Sequence, residues 1–589
     1  MAVEEPGRVA ESAAPPPSAR FAFWTLIALA VLSPWPFGST PSWAVQAITW
    51  ISITTAVVVS LAQAWRGALC LPRAPLWPVA ILVAIGLIQL VTLPAGLHAA
   101  VAPGSAAVWH PAEPAAAALL GSRARPISIY PAATASWIGF TGGLVAVALF
   151  AAPALGRRRT VMAATWILVG AGTLVAVYGI VARTVFGPLL YGTIAVPTVA
   201  PFGPFVNKNH FAGYVEMPAL LALGLGRGLW RQHAPANGGG VPSPSPAALV
   251  AFGASVTMIM AVLLSLSRGG ALGVISGLAI LAVVDYATAR HRGPLGKVLA
   301  PLGLGLLLVA IVALLPGEVH ERLSGMARRD DQSTLYRVAI WKDSFRAWLA
   351  SPVLGQGLGA FADVIPRFKT SAGLLRVEHP ENEPIELAVE GGLIALLAGA
   401  TAVVVTFTRS VRAIRGHRDR VLRGVVTGAL AGLAALTVHG LVDFNLRIPS
   451  NATMLIALMA LAMAPLGSVA WPGWKRWGGV ALVMVVAIAS ANQAEAWPAL
   501  RHARVLAVKA TQPGREGAAD MRLSMADGRV REYLGLRPAD PEGWLMAAWT
   551  ASMQGRPGKA AALARHAIAL DPQRPGVAQS AKSLIADGE

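Results

Sequence analysis

A single cysteine, Cys70, stands in the 589-residue chain. It excludes an intrachain disulfide and any cysteine-based metal cluster. Charge is scarce too: Asp, Glu, Lys and Arg make up 13% of the residues, against 55% hydrophobic. Acids are the scarcer sign, 29 against 48 Lys plus Arg. No metal-ligand set is recognisable, because His379, Glu381 and Glu383 have no second group of ligands at a suitable spacing. No nucleic-acid reader motif accompanies the net charge of +19. The excess Lys and Arg fall mostly in short hydrophilic loops between apolar runs, which argues for topology signals and against a nucleic-acid partner.

What the chain does have is long apolar runs. A run of about 20 residues is what a helix needs to cross roughly 30 Å of hydrocarbon, and about 13 such runs are counted on that criterion. They lie near 21–37, 44–64, 76–94, 136–153, 161–182, 210–226, 247–266, 270–288, 298–315, 385–407, 424–440, 452–470 and 477–493. The expected fold is all-α, a polytopic membrane helix bundle. Its Gly and Pro are frequent, as close-packed and kinked membrane helices require. Residues 1–20 are Pro- and Ala-rich and read as a disordered cytoplasmic N-terminus. The run from Phe21 to Phe37 has no convincing small-residue cleavage site and reads as a retained span.

Alternate short loops are basic. They carry Arg66 and Arg73; Arg157, Arg158 and Arg159; Arg227 and Arg231; Arg290, Arg292 and Lys297; five Arg between 409 and 420; and Lys475 with Arg476. The positive-inside rule puts these in the cytoplasm. A transmembrane domain over 21–493 then has outer loops at 95–135, 183–209 and, largest, 317–384. Residues 494–589 form an outer soluble tail. In the tail, Trp544, Gly555, Ala560, Ala567 and Pro572 occupy the places where a tetratricopeptide repeat needs a large residue, a turn, two small contacts and a stop. Helices are expected over 541–554 and 557–570, pairing with 497–535 to bury their shared face.

Chemistry-bearing residues gather at the outer ends. PFVNKNHFAGY places Asn207, Lys208, Asn209 and His210 at the start of a span, where they can hold an anionic or sugar group or simply cap the helix. LSLSRGG places Arg268 at a tight turn, suited to phosphate or to snorkelling. From Arg337, the residues Val338, Trp341, Phe345, Trp348 and Leu349 share one helical face, a pattern suited to the outer leaflet. The run Gly355-x-Gly357-x-Gly359 follows; with no preceding strand it reads as a tight backbone path, not a dinucleotide site. RVEHPENEPIELAVEGGL then packs Glu378, His379, Glu381, Asn382, Glu383 and Glu386 against an apolar run. Polar side chains at a membrane boundary mark chemistry, binding or a cap. Finally, Asp443 and Arg447 are four residues apart, a spacing that pairs them if the segment is helical, while Pro449 ends such a helix.

Taken in order, VNKNHFAGY, LSLSRGG, R-x-x-x-W with SPVLGQGLGAF, HPENEPIELAVEGGL and HGLVDFNLRIPSNA resemble the O-antigen ligase and polymerase family of bacterial membrane glycosyltransferases over roughly residues 135–470. The resemblance implies a multi-pass enzyme of the inner membrane that takes a glycan from an undecaprenyl-diphosphate carrier. The acceptor is lipid A–core in ligases and another carrier-linked glycan in polymerases. The resemblance has one departure. Where the family commonly reads His-Asn, this chain reads Glu381-Asn382, with His379 two residues earlier.

Glycosyl transfer from a lipid diphosphate needs a proton acceptor for the attacking hydroxyl, for which Glu381 and His379 are both candidates. It needs cations for the leaving diphosphate: Arg268 and Arg337, with Lys208 and Arg447 behind them. Asn207, Asn209, His210, Asn382 and Asp443 are the expected glycan contacts, with no cofactor. Expected partners are the carrier-linked glycan, its acceptor, membrane lipid and, through the tail, polysaccharide-assembly proteins. Two other classes fit many spans with polar ends: a polysaccharide or lipid transporter, and a non-catalytic assembly protein that recruits enzymes through its repeats. The charges cluster at span ends and no inverted repeat is visible, which disfavours transport.

Overall fold

In the computed structural model, the described residues are 15–67, 69–74, 77–196, 200–232, 243–288, 332–370, 376–415, 417–491, 496–511 and 518–588. The expected span at 298–315, the basic residues Arg290, Arg292 and Lys297, and residues 1–14 lie outside them. The other twelve expected spans each coincide with a helix. They are α1 (Pro17–Leu32), α2 (Ser42–Trp65), α3 (Trp77–Leu90), α4 (Pro131–Ala151), α5 (Arg158–Phe186), α6 (Lys208–Gln232), α7 (Pro246–Leu264) and α8 (Arg268–Thr288). After α9 (Gln332–Leu349), in the third loop, come α10 (Glu383–Ile414), α11 (Arg420–His439), α12 (Pro449–Met463) and α13 (Trp474–Ala491). The protein is an all-α, multi-pass membrane protein. Among the described residues, nine helices are long and apolar enough to cross a bilayer, and α1 and α3 are shorter apolar helices. α1 begins at Pro17, inside the stretch expected to be disordered. Among the described residues the strands are two short antiparallel pairs, Leu69–Pro72 with Ser468–Trp471 and Thr92–Leu93 with Arg125–Pro126.

The bundle is organised around α6, whose residues from His210 to Ala222 are buried without interruption. It is less apolar than its neighbours because they, and not lipid, surround it. The contact between α6 and α11 is made by glycines. A Cβ on Gly224 would clash with Gly424 O and lie 2.5 Å from Gly428 Cα, so any side chain there forces the backbones apart. Without a hydrophobic drive between helices in lipid, such backbone-to-backbone approach is a main source of cohesion.

Among the described residues, basic loops meet at one end of the bundle. Arg158 pairs with Asp419 at 2.8 Å, Arg231 pairs with Asp285 at 3.0 Å, and Arg420 donates to Arg231 O at 2.7 Å. The polar motifs gather at the other end. There α10 breaks at Gly392, whose φ is +68°. The chain from Pro352 to Gly357 runs into this break. Leu393 N donates to Pro352 O at 2.8 Å, Gln356 N to Val389 O at 3.2 Å and Gly357 N to Glu390 O at 3.0 Å. Gly355, Gly357 and Gly359 all have positive φ, and a Cβ on Gly355 would clash with Glu390 O. The expected tight backbone path is therefore a plug that satisfies the backbone groups freed by the kink. Gln89, from α3, braces it by donating to Leu354 O and Glu390 O, each at 2.7 Å.

α9 presents Leu335, Val338, Phe345 and Leu349 as an exposed apolar stripe, while Ile340, Asp343, Ser344 and Ala347 face inward. Trp341, expected on the apolar face, is half-buried and donates Nε1–H to Pro380 O at 2.8 Å.

The tail forms α14 (Trp497–Ala510), α15 (Ala519–Leu536), α16 (Pro541–Met553), α17 (Pro557–Leu570) and α18 (Pro575–Ala586). Trp544, Ala560 and Ala567 are fully buried and Gly555 turns the chain at φ +70°. Leu119 and Leu120, from the short helix Pro114–Leu120 of the first loop, share this core. Arg537 fastens the tail to the third loop by an ion pair with Asp363, and its guanidinium lies 4.6 Å over the Tyr130 ring.

Gly428→Leu is expected to prevent α6 and α11 from docking, so that the detergent-extracted protein elutes as aggregate in size-exclusion chromatography. Gly253→Leu is the control: a Cβ at Gly253 meets nothing, and the wild-type elution should be kept.

Candidate active site

Four segments converge at the polar end. They are the turn before α8, the start of α9, the extended stretch from 376 to 382, and the link from α11 to α12. Asn382 starts α10: its Oδ1 accepts from Ile385 N at 3.0 Å and its Nδ2 donates to Leu441 O at 2.7 Å. Glu383 N donates to Gly440 O at 2.8 Å. The helix start and the α11–α12 link are thereby locked together, with Glu381 one residue outside the cap.

Glu381 has φ +56°, a left-handed conformation uncommon for any residue but glycine. Local strain of this kind persists when surroundings over-determine it, and it clusters at functional sites. Here Arg337 fixes the carboxylate, donating Nη2–H to Glu381 Oε2 at 3.0 Å and Nη1–H to Val442 O at 3.0 Å. Both side chains remain accessible, at 27% for Arg337 and 29% for Glu381. Burial raises the Glu381 pKa to about 7, and nearby Asp443 adds to this, against the pull of Arg337 and His379.

His379 stacks on Phe444 at 4.3 Å and shares a 2.9 Å hydrogen bond between Nδ1 and Glu386 Oε1. Burial opposes its charge, but the Glu386 carboxylate outweighs burial and holds the imidazole pKa above its ordinary value. The two candidate bases are thus distinguished. Glu381 is poised near neutrality, whereas His379 is biased toward the protonated form, which cannot accept a proton.

Asp443 and Arg447 do not pair, contrary to the expectation from their spacing. The link between α11 and α12 is a turn and a 3₁₀ segment, Asn445–Arg447, so the i,i+4 geometry of an α-helix never forms. Asp443 instead faces His210 Nε2 at 3.6 Å and His439 Nε2 at 3.9 Å, and accepts from Phe444 N at 2.7 Å. Burial raises its pKa, but His210, His439 and the Phe444 N–H more than compensate, so Asp443 stays ionised. Arg447 lies among three carboxylates of α10: Glu390 at 2.7 Å, Glu386 at 3.1 Å and Glu383 at 3.7 Å. Its side chain is 12% exposed and those of Glu386 and Glu390 only 1%. Burial works against the Arg447 charge, and Glu386, Glu390 and Glu383 outweigh it.

Of the two amides, Asn207 takes the capping role and Asn209, inside α6, supplies the backbone N–H that is capped. Asn207 Oδ1 accepts from Asn209 N at 2.9 Å, and Asn207 O accepts from Phe211 N. Lys208 donates Nζ–H to Leu266 O at 3.1 Å, two residues before Arg268. Arg268 opens α8, where Ser267 Oγ accepts from Gly270 N at 3.1 Å. A Cβ on the adjacent Gly269 would lie 2.5 Å from His439 and 3.3 Å from Val442. The α8 start and Arg337 therefore flank the same turn, on which Val442 sits. Lys208, His210, Arg268, Arg337, His379, Glu381, Asn382, Asp443 and Arg447 are all brought to one end of the bundle.

Sequence reasoning overlooked Glu216 and His439. His439 Nδ1 lies 3.2 Å from both Glu216 carboxylate oxygens, and both side chains are fully buried. An acid in the middle of a membrane helix was the available signal. Glu390 was passed over for the same reason, since it reads as part of an apolar run. Phe444, the platform for His379 and for His210 at 4.7 Å, gave no signal at all.

Residues 253–400 match the family model described as O-antigen ligase. That stretch contains Arg268, Arg337, His379 and Glu381, and it supports glycan transfer of the O-antigen ligase type in general. Among curated proteins no match was found.

Arg447→Met leaves three carboxylates without their cation. It is expected to cost about 3–5 kcal/mol, as removal of one partner of a buried ion pair does. Denaturant unfolding in detergent should register this loss. Arg337→Met, which removes a partly exposed partner, should cost no more than about 1 kcal/mol.

Proposed function

We propose that this chain transfers a glycan from an undecaprenyl-diphosphate carrier to an acceptor hydroxyl at the outer face of the bacterial inner membrane. The observation that carries the reading is the accessible Arg337–Glu381 pair, with Arg268 and Lys208 on the neighbouring turn. Glu381 accepts the proton of the acceptor hydroxyl as its oxygen attacks the anomeric carbon. The bond from that carbon to the diphosphate breaks, and the leaving diphosphate takes the electron pair. Arg268 and Arg337, seconded by Lys208, neutralise the charge that grows on it, so the step needs no metal ion. His379 in its protonated form can donate to a phosphate or sugar oxygen. Asp443, buried against His210 and His439, keeps Glu381 basic and stays out of contact with the saccharide, as does the capping side chain of Asn382. Arg447 is assigned the role of aligning the α10 carboxylates, not of binding the diphosphate.

The exposed stripe on α9 supports entry of the carrier lipid from the outer leaflet, since the apolar face formed by Leu335, Val338, Phe345 and Leu349 runs alongside Arg337 of the pair. The C-terminal helices, read as tetratricopeptide-like and periplasmic, stand beside this site. Ligase and polymerase differ in acceptor only, and both use the same groups.

Activity should follow the ionisation of Glu381. A raised carboxyl is protonated, and useless as a base, below its pKa. Turnover per KM is therefore expected to climb about tenfold from pH 6 to pH 8, with a midpoint near 7. Glu381→Gln should abolish that limb and lower the rate by at least about 100-fold. A variant that keeps normal transfer would remove Glu381 from the reaction and overturn the assignment of the base. Arg268→Ala and Arg337→Ala should each lower kcat by about 100-fold. In a strain lacking the chain, single repeat units accumulating on the carrier indicate a polymerase, and full-length unattached glycan indicates a ligase.

A further inference from the structure

A second polar concavity lies where the tail docks on the third loop. It is a cavity of about 120 Å³, lined among others by Arg376, Lys369, Trp497, Asp571 and Arg574. Two features set it apart from a gap left by imperfect packing. Asp571 is half-buried, yet among the described residues its carboxylate makes no hydrogen bond or ion pair. A half-buried carboxylate that lines a cavity keeps its lone pairs open to the donors of a ligand. Burial accordingly moves the Asp571 pKa up, while Lys369, Arg574 and Arg376 pull it back. The second feature is Trp497, 41% exposed although it sits at a docked interface. Its ring is braced at 5.9 Å by Tyr533 and at 5.4 Å by the Arg537 guanidinium.

A rigid aromatic face beside carboxylate acceptors and guanidinium donors suits one ligand class above others. A pyranose has a C–H face that packs on an aromatic ring and a rim of hydroxyls that both donate and accept. A simple anion would be repelled by Asp571, Asp540 and Glu542, and a simple cation by Lys369, Arg376 and Arg574. The location fits as well. Arg376 is five residues from Glu381, so the cavity lies within about 17 Å of the proposed base along the chain, a span of a few sugar rings.

We infer that the cavity between the third loop and the C-terminal helices is a saccharide subsite, which holds a distal segment of the glycan whose end reacts at Glu381. The inference rests on the glycan-transfer reading and deepens it. On this reading the C-terminal helices contribute to binding, because they supply Trp497, Asp571 and Arg574, and Arg537 sets them in place by its ion pair with Asp363.

The test uses the full chain in detergent and carrier-linked glycan extracted from a strain that lacks it, separated into single-repeat and multi-repeat fractions. Trp497→Ala and Asp571→Asn are expected to raise KM for the multi-repeat fraction about tenfold and leave both constants for the single-repeat fraction unchanged. Equilibrium binding of the radiolabelled, delipidated multi-repeat glycan should weaken by the same factor, a readout that needs no turnover. Unaltered binding and KM in both variants would overturn the subsite. So would an equal loss on both fractions, which would mark damage transmitted to the reacting site. Failure of the wild type to transfer either fraction while it still binds the delipidated glycan would sink the transfer reading and leave the cavity as a saccharide site. Absence of binding by the wild type would sink the subsite itself.

Discussion

One cation holds the polar end of this protein together. Arg447 reaches from the α11–α12 link to Glu383, Glu386 and Glu390 on the first two turns of α10. Three carboxylates on one helix face would repel one another and leave the bundle if they were unpaired. With Arg447 among them they become a fixed frame, and each carries a further load. Glu383 accepts from Leu446 N at 2.6 Å, Glu386 holds His379, and Glu390 accepts from Phe361 N at 3.1 Å. The loop with the Gly355–Gly359 plug, the start of α10 and the α12 entry are thus tied to one charged centre. Such buried clusters add little net stability against a well-packed apolar core, but they define geometry, because removal of any member strands the rest.

That frame separates two populations of charge. Glu216 and His439, and Arg447 with Glu386 and Glu390, are buried or nearly so and pair with one another. Glu381, Arg337 and His379 are each more than a quarter exposed, and stand on the first group. The division makes chemical sense. Groups that must meet a substrate and change protonation need access, and groups that set their positions need to be shielded from exchange with water. Glu381 is the junction of the two, with a strained backbone set by the Asn382 cap on one side and a carboxylate held by Arg337 on the other.

The transmembrane organisation was legible because lipid imposes it. Apolar runs of sufficient length must become helices whatever their neighbours, and twelve of the expected spans coincide with helices for that reason. The tail hairpin was legible on similar grounds, since Trp544, Gly555, Ala560 and Ala567 obey local rules of turn and packing. The pairing of Asp443 with Arg447 was not. Helical spacing was assumed for a segment that Pro449 and the α11 terminus leave as a turn, and each residue went to partners hundreds of positions away or on another helix. Asn207 illustrates a milder case: its amide was readable as ligand or cap, and backbone geometry takes it as a cap.

The sequence by itself determined the solvent of each segment, apolar runs for lipid and scarce polar residues for the ends, because the free energy of a residue in hydrocarbon depends first on its own chemistry. It also determined which few residues carried chemistry worth spending there. Which of those residues touch one another was decided by tertiary structure alone. The glycine seam between α6 and α11 sets the depth of Glu216 and His439, and the break at Gly392 admits the plug that orients Glu390. Ion pairing falls off with distance, and no spacing along the chain fixes a distance between helices.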